Sequence, residues 1–293
     1  MRVTDKAMFA SGTLAMNKAR TARAKAIDEL SSGMRVTHPW DDPSAAGLSV
    51  SHDAAGRMHG AVSAAVRRAN DELASVDAGL GDVVESLSRA RELAVQLSND
   101  TYSAAERAGG AAEVTGLFQS VVASLNREVA GRYVFGGFRD NAAPFDAAGN
   151  FGGDGNIRKV EVAKGVWQDA SIDASQAIKG AGGGVDVLAT LQTLSTALAA
   201  NDTTTLRATL DTLTQGITQV SQARSKAGAH SAVLDVAALA TRALQDQTAE
   251  HLSNEVEANP FEAASRLALA ERGLEATIES VSRTGKLSLL GKM

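Results

Sequence analysis

The chain has 293 residues with 29 Lys or Arg against 34 Asp or Glu, a formal net charge of −5, and no cysteine. That excludes disulfide scaffolds, thiolate metal sites and cysteine nucleophiles, and the acidic balance without a long basic run argues against nucleic-acid binding. Hydrophobic residues make up 44% and charged ones 22%, enough apolar material for a core, yet no apolar stretch approaches the ~18 residues of a membrane span.

The opening residues, MRVTDKAMFASGTLAMNKAR, lack the continuous apolar stretch of a secretory signal. Export is therefore expected to need no cleaved signal peptide. Met16, Arg23, Ile27, Leu30 and Met34 then form an apolar stripe at helical spacing, interrupted by one arginine. Asp42 followed by Pro43 reads as an N-cap and the first residue of a second helix. Capping is a cheaper account of Asp41 and Asp42 than a catalytic carboxylate pair. His52 and His59 lie seven apart, whereas one metal ion takes neighbours at i and i+3 or i+4, so they read as solvated helix residues.

Leu73, Val76, Leu80, Val83, Leu87, Ala90, Ala94 and Leu97 keep alternating spacings of three and four for over three heptads. Ser103 and Glu106 form a capping box opening another helix, expected to carry Val114, Leu117, Phe118, Val121, Leu125 and Val129 on one face. Composition changes between about 131 and 184. Glycines cluster there with Tyr133, Phe135, Phe138, Phe145, Phe151 and Trp167, and Val160-Glu161-Val162 alternates in the strand manner. The segment reads as a small β-rich insert ending in a flexible linker, Gly180–Gly184.

Helical periodicity resumes at Leu206, Leu210, Leu213, Ile217 and Val220. Asn259, Pro260 and Glu262 repeat the pattern of cap, first helical position and capping-box acid. The following helix places Leu267, Leu274, Ile278 and Val281 on one stripe and ends with Leu287, Leu289 and Leu290, where a frayed terminus would be polar. The fold class is therefore mainly α: an elongated bundle of long helices formed by the N- and C-terminal segments, with a small β-rich inserted domain. Each terminal segment has an apolar face too weak to fold alone. Pairing the two and burying the pair among other subunits satisfies both. No nucleophile elbow, phosphate-binding loop or zinc motif occurs, so neither catalysis nor a cofactor is expected.

Several stretches, taken in order, resemble the bacterial flagellin superfamily. Asp28-Glu-Leu-Ser-Ser-Gly-Met-Arg-Val-Thr37 with Asp41-Asp42-Pro43-Ser44-Ala45-Ala46 is similar to its N-terminal signature. Ala90-Arg-Glu-Leu-Ala94, Asn99-Asp-Thr-Tyr102, Arg224 with Ala227, Gly228 and Ala229, and Leu274-Glu-Ala-Thr-Ile-Glu-Ser280 follow in the family's order. Gly131-Arg-Tyr-Val-Phe-Gly-Gly137 with Pro144-Phe145 resembles the members at the hook–filament junction. His38-Pro39-Trp40 and Asn259-Pro260 depart from the family pattern, which puts local packing in question.

The resemblance implies a non-enzymatic structural adaptor of the flagellum, extracellular at that junction, with a short flagellin or, more distantly, a cytoplasmic coiled-coil scaffold as alternatives. It implies as partners hook-associated protein 1, flagellin, further copies of the chain in a ring-like layer, and an export chaperone with the type III export apparatus. Residues 1–43 and 251–293 would form a terminal coiled coil, disordered in the monomer. Residues 44–132 and 185–250 would form the helical bundle, and 133–184 the insert. The expected assembly interface is Ile27, Leu30, Met34, Leu274, Ile278, Leu287, Leu289 and Leu290.

Overall fold

A computed structural model describes the backbone of residues 2–290 and the side chains of residues 7 and 10–283. In chain order the helices and strands are α1 (Arg2–Ser32), α2 (Pro43–Leu97), α3 (Ala104–Leu125), β1 (Glu128–Val129), β2 (Arg132–Tyr133), β3 (Lys159–Ala163), β4 (Val166–Asp169), α4 (Ala174–Lys179), α5 (Val187–Ala199), α6 (Thr203–Val256) and α7 (Pro260–Leu290). The chain divides into two compact units, Met1–Met58 with Leu244–Met293, and His59–Ala243. The division falls inside α2 and α6, both of which run unbroken through it.

In the first unit α1 and α7 pair antiparallel. Gly12 meets Val281, Arg23 lies 3.5 Å from Glu271, and Arg266 lies 3.1 Å from Glu29. The contact face of α1 is Gly12, Met16, Ala19, Ala26 and Glu29, and that of α7 is Ala263, Leu267, Ala270, Leu274, Thr277 and Val281, both at heptad spacing. Small residues let the helices approach closely: a Cβ on Gly12 would come within 3.1 Å of a Val281 methyl. At one end the pair is tied by backbone. The Arg35 N–H donates to the Val256 carbonyl at 2.7 Å, and the Ala258 N–H to the Gly33 carbonyl at 2.8 Å. Gly33 makes the turn with a φ of +70°, a left-handed conformation that glycine adopts without strain.

The second unit is built on antiparallel helices. Leu73, Val76, Leu80, Val83, Leu87, Ala90, Ala94 and Leu97 of α2 are all buried, as their spacing predicts. They share one core with Val114, Phe118, Val121 and Leu125 of α3, with Leu188, Leu191, Leu194 and Leu198 of α5, and with Leu206, Leu213 and Val220 of α6. Arg224 of α6 reaches Asp77 of α2 with two hydrogen bonds of 3.0 Å. The α3 helix stops before Val129, which the periodicity had placed on its face. The chain turns into the β1–β2 hairpin there through Ala130 and Gly131, at φ of 51° and 81°.

The segment between the helical halves carries two antiparallel two-stranded hairpins, β1–β2 and β3–β4, and α4. Val160 lies in β3, as its alternation indicates. Phe135, Phe145, Ile172 and Ile178 enter the same core as the helices. The glycine stretch after α4, expected as a linker, is a hydrogen-bonded turn. Gly180 is the left-handed C-cap of α4, and the Gly184 N–H donates to the Gly180 carbonyl at 2.9 Å. Gln219 of α6 fastens the chain just beyond this turn, accepting from the Val185 N–H and donating to the Val185 and Ala177 carbonyls.

Candidate assembly surface

The side chains expected to form an interface divide into two groups. Leu274 sits half-buried in the α1–α7 seam. Ile27, Leu30, Met34 and Ile278 stand outside it, at 39%, 42%, 47% and 47% exposed, and Leu14 and Leu269 join them. The N-terminal stripe read from the sequence is therefore divided: Met16 and Arg23 lie toward α7, while Ile27, Leu30 and Met34 do not. Gly12, Met16, Ala19, Ala26 and Glu29 hold the α1 side of the seam, and the bulky Ile27 and Leu30, one position from Ala26 and Glu29, point elsewhere. Similarly Thr277, not Ile278, occupies the heptad position of α7. Leu287, Leu289 and Leu290 lie outside the residues whose side chains are described.

The capping residues engage to different degrees. The Asp42 carboxylate accepts from the Ala45 N–H at 3.0 Å, so it caps α2 with Pro43 at the first position. That hydrogen bond, more than the nearby Arg35, holds its carboxyl below the usual range. Ser103 and Glu106 form both halves of the capping box, and the Ser103 N–H lowers the Glu106 carboxyl likewise. At α7 only half of the box forms. Asn259 accepts from the Phe261 N–H at 3.0 Å, but Glu262 makes no hydrogen bond or ion pair among the described residues. Its side chain is exposed, and water solvates the carboxylate without ordering it.

Three polar arrangements went unseen in the sequence. Asp41 accepts from Lys25 at 3.0 Å, from the His38 N–H at 3.0 Å and from the Thr37 hydroxyl at 3.1 Å. The Lys25 bond leads in lowering its carboxyl to about 2. Arg35 donates to the Glu255 carbonyl at 2.6 Å and to Asp42 at 3.0 Å, so one guanidinium joins the C-terminal end of α6 to the cap of α2. Arg107 is buried and spends its donors on the Leu97 and Asn99 carbonyls and the Asn201 side chain, closing the ends of α2 and α5. Each joins residues distant in sequence, and only the Asp42 cap had a local signal.

His52 stacks on His251 with ring centroids 5.6 Å apart. Among the described residues no three His, Asp or Glu converge as a metal site, and no helix is long and apolar enough to cross a membrane. Trp40, the bulky departure before Asp41, is 75% exposed and stacks on His38 at 4.5 Å.

The terminal helices pair and leave apolar side chains on their outer side, and the N-terminal part of the chain has a recognisable type. Residues 5–140 match the bacterial flagellin N-terminal helical region. The flagellar hook-associated protein 3 of Salmonella typhimurium is 29% identical over 160 residues, 54% of this chain and 50% of that protein. The chain thus spans about half the length of the curated relatives it matches. The flagellin of the same organism is 35% identical over a shorter stretch of 103 residues, 34% of this chain and 20% of its own. A solved structure from Vibrio parahaemolyticus, provisionally assigned as a flagellar hook-associated protein, covers 74% of this chain and 100% of its own, at 21% identity and a TM-score of 0.67. The two share a fold.

Proposed function

We propose that this chain is a structural, non-enzymatic adaptor of the bacterial flagellum that joins the hook, through hook-associated protein 1, to the flagellin filament. The carrying observation is the row of bulky apolar side chains, Ile27, Leu30, Met34 and Ile278, left outside the α1–α7 seam. Apolar area left on this outer row is free to be covered, so the pair gains stability when other copies cover it. Leu287, Leu289 and Leu290 would extend that row, and Leu274 would hold the pair together. Segments 1–43 and 251–293 would pass an export channel unfolded, guided by a chaperone and the type III apparatus. They would order only in a ring-like layer of copies. The extent of the match to hook-associated protein 3 supports this reading.

A short flagellin is the second reading, favoured by the higher identity to flagellins over the shorter stretch. Deletion of the gene separates the two, read by electron microscopy of cells and immunoblot of the medium. An adaptor predicts intact hooks without filaments and monomeric flagellin shed into the medium. Absence of flagellin from both cells and medium would identify the filament subunit instead. Normal flagella would overturn both.

A further inference from the structure

In the second unit a groove of ≈ 590 Å³ runs between α2 and β3, within the ~300–1,000 Å³ of ligand clefts. Its floor is apolar, with Ala69, Val160 and Ala170. Phe138 stands at its side with 62% of its surface exposed, an aromatic ring that no core claims.

The charges around the groove are unequal. Four cations line it, Arg68, Arg132, Arg158 and Lys159, against one carboxylate, Glu72. Glu72 is met by Arg158 at 2.8 Å, and Asp140 is paired with both Arg158 and Arg132. Lys159 has only a long contact of 3.6 Å with Asp169. Arg68 has no hydrogen bond or ion pair among the described residues. Counting Asp140 and Asp169, the locality is one positive charge in excess, on a chain whose net charge is −5. The carboxylates are consumed within the wall, and the cations at the rim are left to a partner.

Backbone is on offer as well. β3 pairs with β4 alone, so its other edge carries no second strand among the described residues. A strand edge without a second strand is the geometry that accepts an added one.

We propose that this groove is a docking site for an extended acidic segment of a partner protein. Its carboxylates would lie on Arg68 and Lys159, its apolar side chains against Phe138 and the floor, and its backbone along the free edge of β3.

The test titrates a fluorescein-labelled decapeptide of alternating glutamate and valine into the full chain, read by fluorescence anisotropy. Saturable binding is expected, together with at least a tenfold loss in the double variant Arg68→Glu, Lys159→Glu and no loss in Arg242→Glu. Both positions of the double variant are exposed, and an unchanged melting temperature verifies its fold. A peptide of alternating lysine and valine should not bind. Two further peptides carry N-methyl groups along one strand edge or the other, and only one of them should lose binding at least tenfold. Absence of saturable binding, equal binding to the double variant, or equal affinity for the two methylated peptides would overturn the proposal.

Discussion

Asp41 shows how a turn residue makes the first unit sensitive to acid. Lys25, the His38 N–H and the Thr37 hydroxyl all favour its ionised form, bringing its carboxyl to about 2 from an ordinary 3.8. A group whose folded value lies below its unfolded one stabilises the fold above the unfolded value, and the contribution fades as pH falls through the folded one. The α1–α2 connection should therefore hold fully above about pH 4 and loosen between pH 4 and pH 2. Helical circular dichroism followed through that window should fall in the native chain. In Asp41→Asn the same window should be flatter, because no charge is left to titrate. If both chains lose helicity in parallel, another carboxylate governs the acid limb.

At the level of helices, the seams of α2 and α1 bury their faces by opposite means. In α2 leucine and valine recur every three and four residues and are fully covered. Leu80→Ala should therefore cost about 2–5 kcal/mol of unfolding free energy, since the void opens in a core that cannot collapse around it. Denaturant melts would show it as a lower midpoint at constant slope. On α1 the outcome should differ: Ile27→Asp with Leu30→Asp should leave the melting temperature of the monomer unchanged and abolish assembly, followed by light scattering and by filament formation in cells. A large drop in melting temperature would place these side chains in the chain's own core.

That contrast also says what the sequence made legible. The α2 seam could be read directly, because period and residue size coincide at Leu73, Leu80 and Leu87. The α1 seam could not, because Gly12, Ala19 and Ala26 hold the correct period but carry almost no hydrophobic weight, and the eye is drawn to Ile27 and Leu30 instead. Val129 was misplaced for a similar reason. Its spacing continues the α3 pattern, while Ala130 and Gly131 end the helix through a turn whose conformation only one of the two residues announces. The groove beside β3 was hidden more deeply. Its members come from positions 65–72, 132–138 and 157–170, and no local pattern links them.

For the whole molecule, the division at 58/59 and 243/244 leaves His59–Ala243 as one continuous stretch with its own core of leucine, valine and phenylalanine. The other unit depends on the single α1–α7 seam and a short backbone tie. Limited proteolysis of the monomer should trim both ends first and leave a resistant fragment close to 59–243, identifiable by mass spectrometry. A chain protected from end to end would show that the terminal pair is stable without neighbours, contrary to assembly-driven ordering.

The backbone tie between Gly33–Val36 and Val256–Ala258 has a consequence for how this sequence tolerates change. With Gly12, Ala19 and Ala26 on its α1 side the seam has few protrusions from that helix, so the alignment of α1 with α7 is set chiefly at the tie and propagates outward from it. Trimming from the outer ends shortens the pair but leaves every surviving partner opposite the same partner. One residue inserted next to Gly33 would instead rotate all of α1 by about 100° and present its bulky face to α7. Insertions and deletions should therefore accumulate unevenly, tolerated at the far ends and purged around the tie.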